Sequence, residues 1–235
     1  MTPPPQATVA LLSGGLDSAI ALQLGIRQGW QIALALTFDY GQRSAPREIR
    51  QAAALCAHFG VPHKALELAW FRDWASTSAL LDRGRDLPRP QASELDRPAA
   101  ARATAKAVWV PNRNGIFIEI AAGYAESLGA KAVLVGFNRE EAQTFADNSQ
   151  AYQEAVSRAL AFSTANGVEV ISPTAPLDKK AIVRAGIESG FPFRLLWSCY
   201  ENGERMCGVC ESCRRLKRAL GANGVESDDL FADPS

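Results

Sequence analysis

The feature that most constrains this chain is "TVALLSGGLDSAIALQLG", residues 8–25. Thr8 to Leu12 form a short β-branched and aliphatic run of the kind that makes a buried strand, and Ala19 to Leu24 resume with apolar residues at helical spacing. The turn between them carries no bulk. Gly14 and Gly15 open backbone angles closed to other residues and let a ligand approach the main chain, while Ser13 and Ser18 add hydroxyls beside the free N–H groups of a starting helix. Such a turn suits an anion, although two adjacent glycines also suit simple tight packing. Asp17 favours the anion. A carboxylate beside an anion site is repulsive unless a cation stands between them, which points to magnesium bridging to phosphate.

The turn lacks the terminal Gly-Lys-Ser/Thr of a Walker-type loop. "SGGLDS" instead resembles the pyrophosphate loop of the adenylating ATP pyrophosphatases, the superfamily of GMP synthetase, asparagine synthetase and tRNA-thiolating enzymes. That resemblance implies attack of a substrate oxygen on the α-phosphate of ATP, with pyrophosphate leaving. It also implies a nucleotide-binding segment made of Leu12, Ser13, Gly14, Gly15, Leu16, Asp17, Ser18, Ala19, Ile20, Ala21 and Leu22.

At 235 residues the chain is long enough for one full core with a small appended module. Its 25 basic and 25 acidic side chains cancel, which argues against a nucleic-acid binder that relies on many phosphate contacts. No apolar run reaches membrane-spanning length, and "MTPPPQ" lacks the basic and apolar regions of a signal peptide, so a cytoplasmic protein is expected.

The rest of the chain alternates strands and helices. "WQIALALTFDYGQ" predicts a second strand, "REIRQAAALCAHFG" a helix ending at Gly60, and "VPHKALELAW" a third strand. "GIFIEIAAGYAESLGA" predicts a helix with Ile116, Ile120, Tyr124 and Leu128 on one stripe, and "KAVLVGF" and "VEVIS" predict the last strands. The expected fold is α/β, a doubly wound five-stranded parallel sheet, with ligands at the carboxyl ends of its strands. We expect residues 1–190 to form the nucleotide-binding domain and 191–235 a metal-binding tail. Trp74 to Lys106, with Pro88, Pro90 and Pro98, reads as a long loop suited to a lid.

Near the C-terminus "CYENGERMCGVCESCRRLKRAL" places Cys199, Cys207, Cys210 and Cys213 at C-x7-C-x2-C-x2-C spacing. Thiolates so spaced can take the corners of a tetrahedron, as a structural zinc requires; similar spacing can also hold an iron–sulfur cluster or a redox pair. Four sulfurs leave no open position for catalysis. The fifth cysteine, Cys56, sits in an apolar helix and reads as a buried small hydrophobe.

The loop at one end and the four cysteines at the other resemble the 7-cyano-7-deazaguanine synthase (QueC-type) family. "TFDYGQR", "VPNRNGIFI", "VGFN" and "PLDKKAIV" resemble that family's segments in the same order, so the resemblance covers most of the chain. It implies a ligase that turns 7-carboxy-7-deazaguanine and ammonia into the nitrile through an adenylated acid and then an adenylated amide, releasing AMP and pyrophosphate, and it suggests a homodimer. Free ammonia is the expected nitrogen source, since no glutaminase segment is present. Ser13, Gly14, Gly15, Asp17 and Ser18 are then expected to hold pyrophosphate and magnesium. Arg113 would grip a carboxylate or phosphate, Asn114 would line the nucleotide site or cap its helix, and Lys180 would neutralise the α-phosphate. Tyr40, Gln42, Arg43, Gly136 and Asp147 complete the expected nucleotide site.

One stretch departs from the family pattern. Where the common bacterial form has Asp-Phe-Ser-Gly-Tyr-Pro-Asp-Cys, this chain has "EAQTFADNS", keeping Phe145 and Asp147 but not the Gly, Pro and Cys. That change leaves open a related ligase that passes the activated carboxylate to another amine, such as a protein N-terminus. A tRNA-thiolating enzyme or a zinc-stabilised nucleotide- or RNA-binding module is a third reading, disfavoured by the zero net charge.

Overall fold

A computed structural model describes residues 7–232; the opening "MTPPPQ" read above lies outside the described residues, as do residues 233–235. Five parallel strands run in the order β3-β2-β1-β4-β5. They are β1 (Thr8–Leu11), β2 (Ile32–Asp39), β3 (His63–Glu67), β4 (Ala132–Leu134) and β5 (Glu169–Ile171). The helices are α1 (Leu16–Arg27), α2 (Ala45–Phe59), α3 (Arg72–Ala75), α4 (Pro98–Val108), α5 (Arg113–Ser127), α6 (Arg139–Ala142), α7 (Gln150–Ser163), α8 (Lys179–Glu188) and α9 (Glu211–Gly221). Strand order reverses between β1 and β4, so the turn after β1 opens at the place where parallel sheets bind ligands.

Alternation along the central strands sends side chains to two cores. Val9 and Val133 join a cluster with Leu36 and the α5 residues Ile118, Ala121 and Ala125, while Ala10 and Leu134 join one with Ile20, Leu55 and Ile182. Covering both faces is what makes these strands near-continuous apolar runs in the sequence.

Two sequence expectations change in detail. The buried stripe of α5 is Ile118, Ala121, Ala122 and Ala125; Ile116, Ile120 and Tyr124 flank it, and Leu128 at the helix end is 49% exposed. Small residues win the inner face because the helix lies directly on β1 and β4.

The stretch expected as a loop between residues 74 and 106 holds most of α4, opened by Pro98 and built on alanines. This insertion is tied down: Leu87 and Leu95 are buried, Glu211 N donates to Pro88 O at 3.0 Å, and an Arg215 Nη donates to Leu95 O at 2.9 Å. The C-terminal segment is equally integrated, since Cys199, Cys213, Leu216 and Leu220 belong to the same core as α1 and α2.

Candidate active site

The turn after β1 folds on its own hydroxyls. Ser13 Oγ and Ser18 Oγ lie 3.2 Å apart, Gly15 N donates to Ser13 Oγ at 3.3 Å, and Ser18 Oγ donates to Gly15 O at 3.2 Å. Gly14 has φ +78°, and a Cβ there would stand 3.3 Å from Ala52 N, so α2 packs where only glycine fits. Gly136 at the end of β4 is also a matter of close approach. A Cβ on it would come within 2.6 Å of Ser18 Cα, so β4 presses against the first turn of α1.

Asp17 is bridged to Glu141 by a lysine from α8. Lys179 Nζ lies 2.7 Å from Asp17 Oδ2 and 2.7 Å from Glu141 Oε1. Burial raises the Asp17 carboxyl to about 6, against the pull of Lys179, and the like charge of Glu141 adds to the rise. Burial works against the Lys179 ammonium, yet the two carboxylates outweigh it and hold it above the ordinary lysine range. Glu141 is also buried, but Lys179 keeps its carboxyl below the usual value. Asp17 Oδ1 is buried without a hydrogen-bond partner. An orphaned carboxylate oxygen on an anion loop, with a second carboxylate across the lysine, fits a divalent cation of oxygen preference.

Two adjoining cavities share this wall. The first, about 250 Å³, lies over the strand ends and is lined by Leu12, Phe38, Tyr40, Arg113 and Gly136 among others. The second, about 240 Å³, opens beneath α4 and reaches Lys179, Ser198, Tyr200 and Arg215. Ser13, Gly15, Asp17, Arg113 and Glu141 border both.

Arg113 follows Asn112, whose φ of 53° is left-handed and turns the chain into α5. Its polar partners among the described residues are Tyr40 Oη at 3.4 Å and Asn114 Oδ1 at 3.3 Å, so most of its guanidinium donors are unused. Burial pushes Tyr40 up, and Glu48, hydrogen-bonded by Ser44 Oγ at 2.6 Å and Gln42 Nε2 at 3.0 Å, is raised by the same cause.

The remaining expected residues separate into those that face a cavity and those that hold the frame. Leu16 reaches the second cavity, whereas Ala19, Ile20, Ala21 and Leu22 are fully buried core behind the turn. Gln42 spends its amide on Tyr40 N, Phe38 O and Glu48, fixing the turn after β2. Arg43 pairs with Glu201 and donates to Asp82 O and Arg85 O, so it anchors the insertion and lines neither cavity. Asn114 sits inside the first turn, not at its cap, and donates to Asp147 O at 3.3 Å. Asp147 itself lines neither cavity.

Lys180 points to solvent, and its neighbour Lys179 occupies the position expected for it. The reason is the cap: Asp178 accepts from Ala181 N at 2.9 Å, which starts α8 so that Lys179 faces the sheet end. Glu141, Glu48, Ser198 and Arg215 were not legible as site residues. Only the Asp-Lys-Lys capping signal could have found Lys179.

The four cysteines come together as expected, with ligand atoms within 4.8 Å of one another. Cys207 and Cys213 sulfurs are 3.8 Å apart, close to the roughly 3.8 Å edge of a zinc–thiolate tetrahedron with bonds of about 2.3 Å. Glu201 N and Cys207 N both point at Cys199 Sγ at 3.3 Å, as suits a thiolate. The centre buttresses the loop directly: Trp197 N donates to Gly14 O at 2.9 Å and Leu16 N to Ser198 Oγ at 3.4 Å. Cys56 lies apart and buried, its thiol pushed up to about 12 by burial.

Comparison with known proteins agrees with this arrangement. A family model described as queuosine biosynthesis protein QueC matches residues 7–224. The 7-cyano-7-deazaguanine synthase of Desulforudis audaxviator is 52% identical over 216 residues, 92% of this chain and 97% of that protein. The enzymes of the same name from Carboxydothermus hydrogenoformans and Methanosarcina mazei are 47% and 43% identical over 218 and 221 residues, covering 93% of this chain and 100% and 95% of theirs. With the match running from the first strand to the last helix, this chain belongs to the QueC family.

Proposed function

We propose that this chain is a 7-cyano-7-deazaguanine synthase, a ligase that converts 7-carboxy-7-deazaguanine, ammonia and ATP to the nitrile with release of AMP and pyrophosphate. The observation that carries the reading is the wall shared by the two cavities, where the serine-glycine turn, Asp17 and Arg113 stand between two ligand-sized spaces and Lys179 reaches Asp17 from the second. An adenylating enzyme needs that layout, because the nucleotide and the acid must meet at one phosphorus.

In the first half-reaction a carboxylate oxygen attacks the α-phosphorus and the bond to the β-phosphate oxygen breaks, releasing pyrophosphate. Gly15 N–H, Ser13 and Ser18 hold the leaving pyrophosphate, and Arg113 directs its unused donors at the carboxylate or α-phosphate. Asp17, whose Oδ1 has no hydrogen-bond partner, and Glu141 would hold a magnesium ion, which would supply charge neutralisation at the phosphates. Lys179 carries a permanent positive charge to the same place. Ammonia then attacks the acyl carbon, loses a proton, and AMP departs with the carboxylate oxygen, leaving the amide. The amide oxygen repeats the attack on a second ATP. Loss of both nitrogen protons and of AMP gives the nitrile.

The four-thiol centre fits one structural zinc that fixes the segment bearing Trp197 and Ser198 against the loop. The altered 141–149 stretch does not call for another acceptor, since relatives named as the synthase match over more than nine-tenths of the chain. No helix among the described residues is long and apolar enough to cross a membrane, in keeping with a small-molecule enzyme of the reducing cytoplasm.

The test is product analysis by mass spectrometry with the acid, magnesium ATP and ammonium. A nitrile made with AMP and pyrophosphate by the wild type, and lost in Ser13→Ala and Asp17→Ala, is the expected result. AMP with only an amide or a protein-linked deazaguanine would replace the synthase reading with that of a related ligase, and absence of AMP would remove adenylation altogether.

A further inference from the structure

The second cavity has an uncommon lining. Its roof is one face of α4, with Ala101, Thr104, Ala105 and Val108 at the i, i+3, i+4 and i+7 positions of a single helical stripe. A helix that turns its least polar face inward ordinarily rests that face on packed side chains, but here about 240 Å³ lies beneath it. One wall is Phe145, which is held by Trp109 in a parallel stack with ring centroids 6.2 Å apart and planes 8° from coplanar. Thr104 and Thr144 also line this space. The floor carries the Asp17–Lys179–Glu141 bridge, where the reaction takes place.

Apolar above, aromatic at the side, and lined below by the Asp17–Lys179–Glu141 bridge with the guanidinium groups of Arg113 and Arg215, the space suits a planar heterocycle carrying one carboxylate. The first cavity, enclosed by Leu36, Phe38 and Phe117 over the strand ends, then takes the nucleotide. We infer that the second cavity binds the deazaguanine, with its ring stacked on Phe145 beneath α4 and its carboxylate directed at the Asp17–Lys179 floor. Phe145 is thereby a specificity-determining residue, and α4 is the cover that excludes water from the adenylated intermediates. This assignment rests on the synthase reading above. It also gives the "EAQTFADNS" stretch its task, because that stretch contributes Glu141, Thr144, Phe145 and Asn148 to the cavity.

Steady-state kinetics on the full-length protein, titrating the acid and ATP separately, tests the assignment. Phe145→Ala is expected to raise KM for the acid by about tenfold or more, the scale of a lost base–aromatic stack, with KM for ATP within twofold and Phe145→Tyr near wild type. Ala105→Leu fills the cavity from a half-buried position on a helix that tolerates leucine, and should raise the same KM while leaving the melting temperature in place. 7-Deazaguanine, which lacks the carboxylate, should inhibit competitively against the acid and not against ATP. A wild type that turns over while Phe145→Ala leaves the acid's KM unchanged, or shifts that of ATP equally, overturns the assignment but not the function. A wild type that makes no AMP from the acid overturns the function itself.

Discussion

Lys179 Nζ stands 2.7 Å from Asp17 Oδ2 while the next residue, Lys180, faces solvent, so one step along α8 separates a buried bridging ammonium from a surface charge. Asp17 lies in the first turn of α1, Glu141 in α6 after β4, and Lys179 begins α8. A single side chain therefore joins the starts of two helices to a third segment at the sheet's carboxyl edge.

The two lysines are expected to behave oppositely. Lys179→Met leaves two buried carboxylates facing each other without a cation and should cost about 3 kcal/mol of stability, with turnover lowered by about a hundredfold or more. Lys180→Met should change neither by more than assay error. Chemical denaturation and AMP release on the pair of variants check this.

Asp17 predicts a pH dependence. Its folded pKa of about 6 lies above the ordinary 3.8, so the folded state binds its proton more tightly than the unfolded chain. Its contribution to stability is present below about pH 4 and is lost as pH rises through about 6. Catalysis needs the opposite form, since only the carboxylate binds a cation. Expected outcomes are a fall in kcat/KM for magnesium ATP below pH 6, and an Asp17→Asn variant that is inactive yet melts no lower than wild type at pH 7.

Gly136→Ala places a methyl group 2.6 Å from Ser18 Cα, where backbone must move. A loss of about 1–3 kcal/mol is expected. Because the backbone that moves carries Ser18, KM for ATP should rise with it, which calorimetry and ATP titration on one preparation can compare.

Metal removal should reach the nucleotide site. Trp197 and Ser198 bind the loop through Gly14 O and Leu16 N, and Cys199 is the next residue. We expect one zinc per chain by elemental analysis. Cys213→Ser, or chelation at elevated temperature, should lower the melting temperature and weaken ATP binding together, since the centre and α1 share one core.

Much of the architecture is local and was legible. Apolar runs bounded by turns marked all five strands, and "SGGLDS" and the cysteine spacing marked the two ends of the site, because strand period, glycine freedom and thiolate coordination are written in neighbouring residues. The helix expected to end at Gly60 does so, with Gly60 closing α2 in the left-handed conformation.

What the sequence alone determined, then, is which segments are strands, which turn we propose for an anion and which four sulfurs come close enough to hold a metal. The tertiary structure decided the rest. It chose Lys179 over Lys180 through the cap at Asp178, turned Gln42 and Arg43 from ligand candidates into braces, and set Glu141 opposite Asp17. It also made a helix of part of the presumed loop and stretched it over a cavity. The cap at Asp178 and the bonds of Gln42 are local. Lys179, however, meets Asp17 and Glu141, Arg43 meets Asp82, and Arg215 meets Leu95 across tens to more than a hundred positions, where packing and not the neighbours in the chain sets the direction of a side chain.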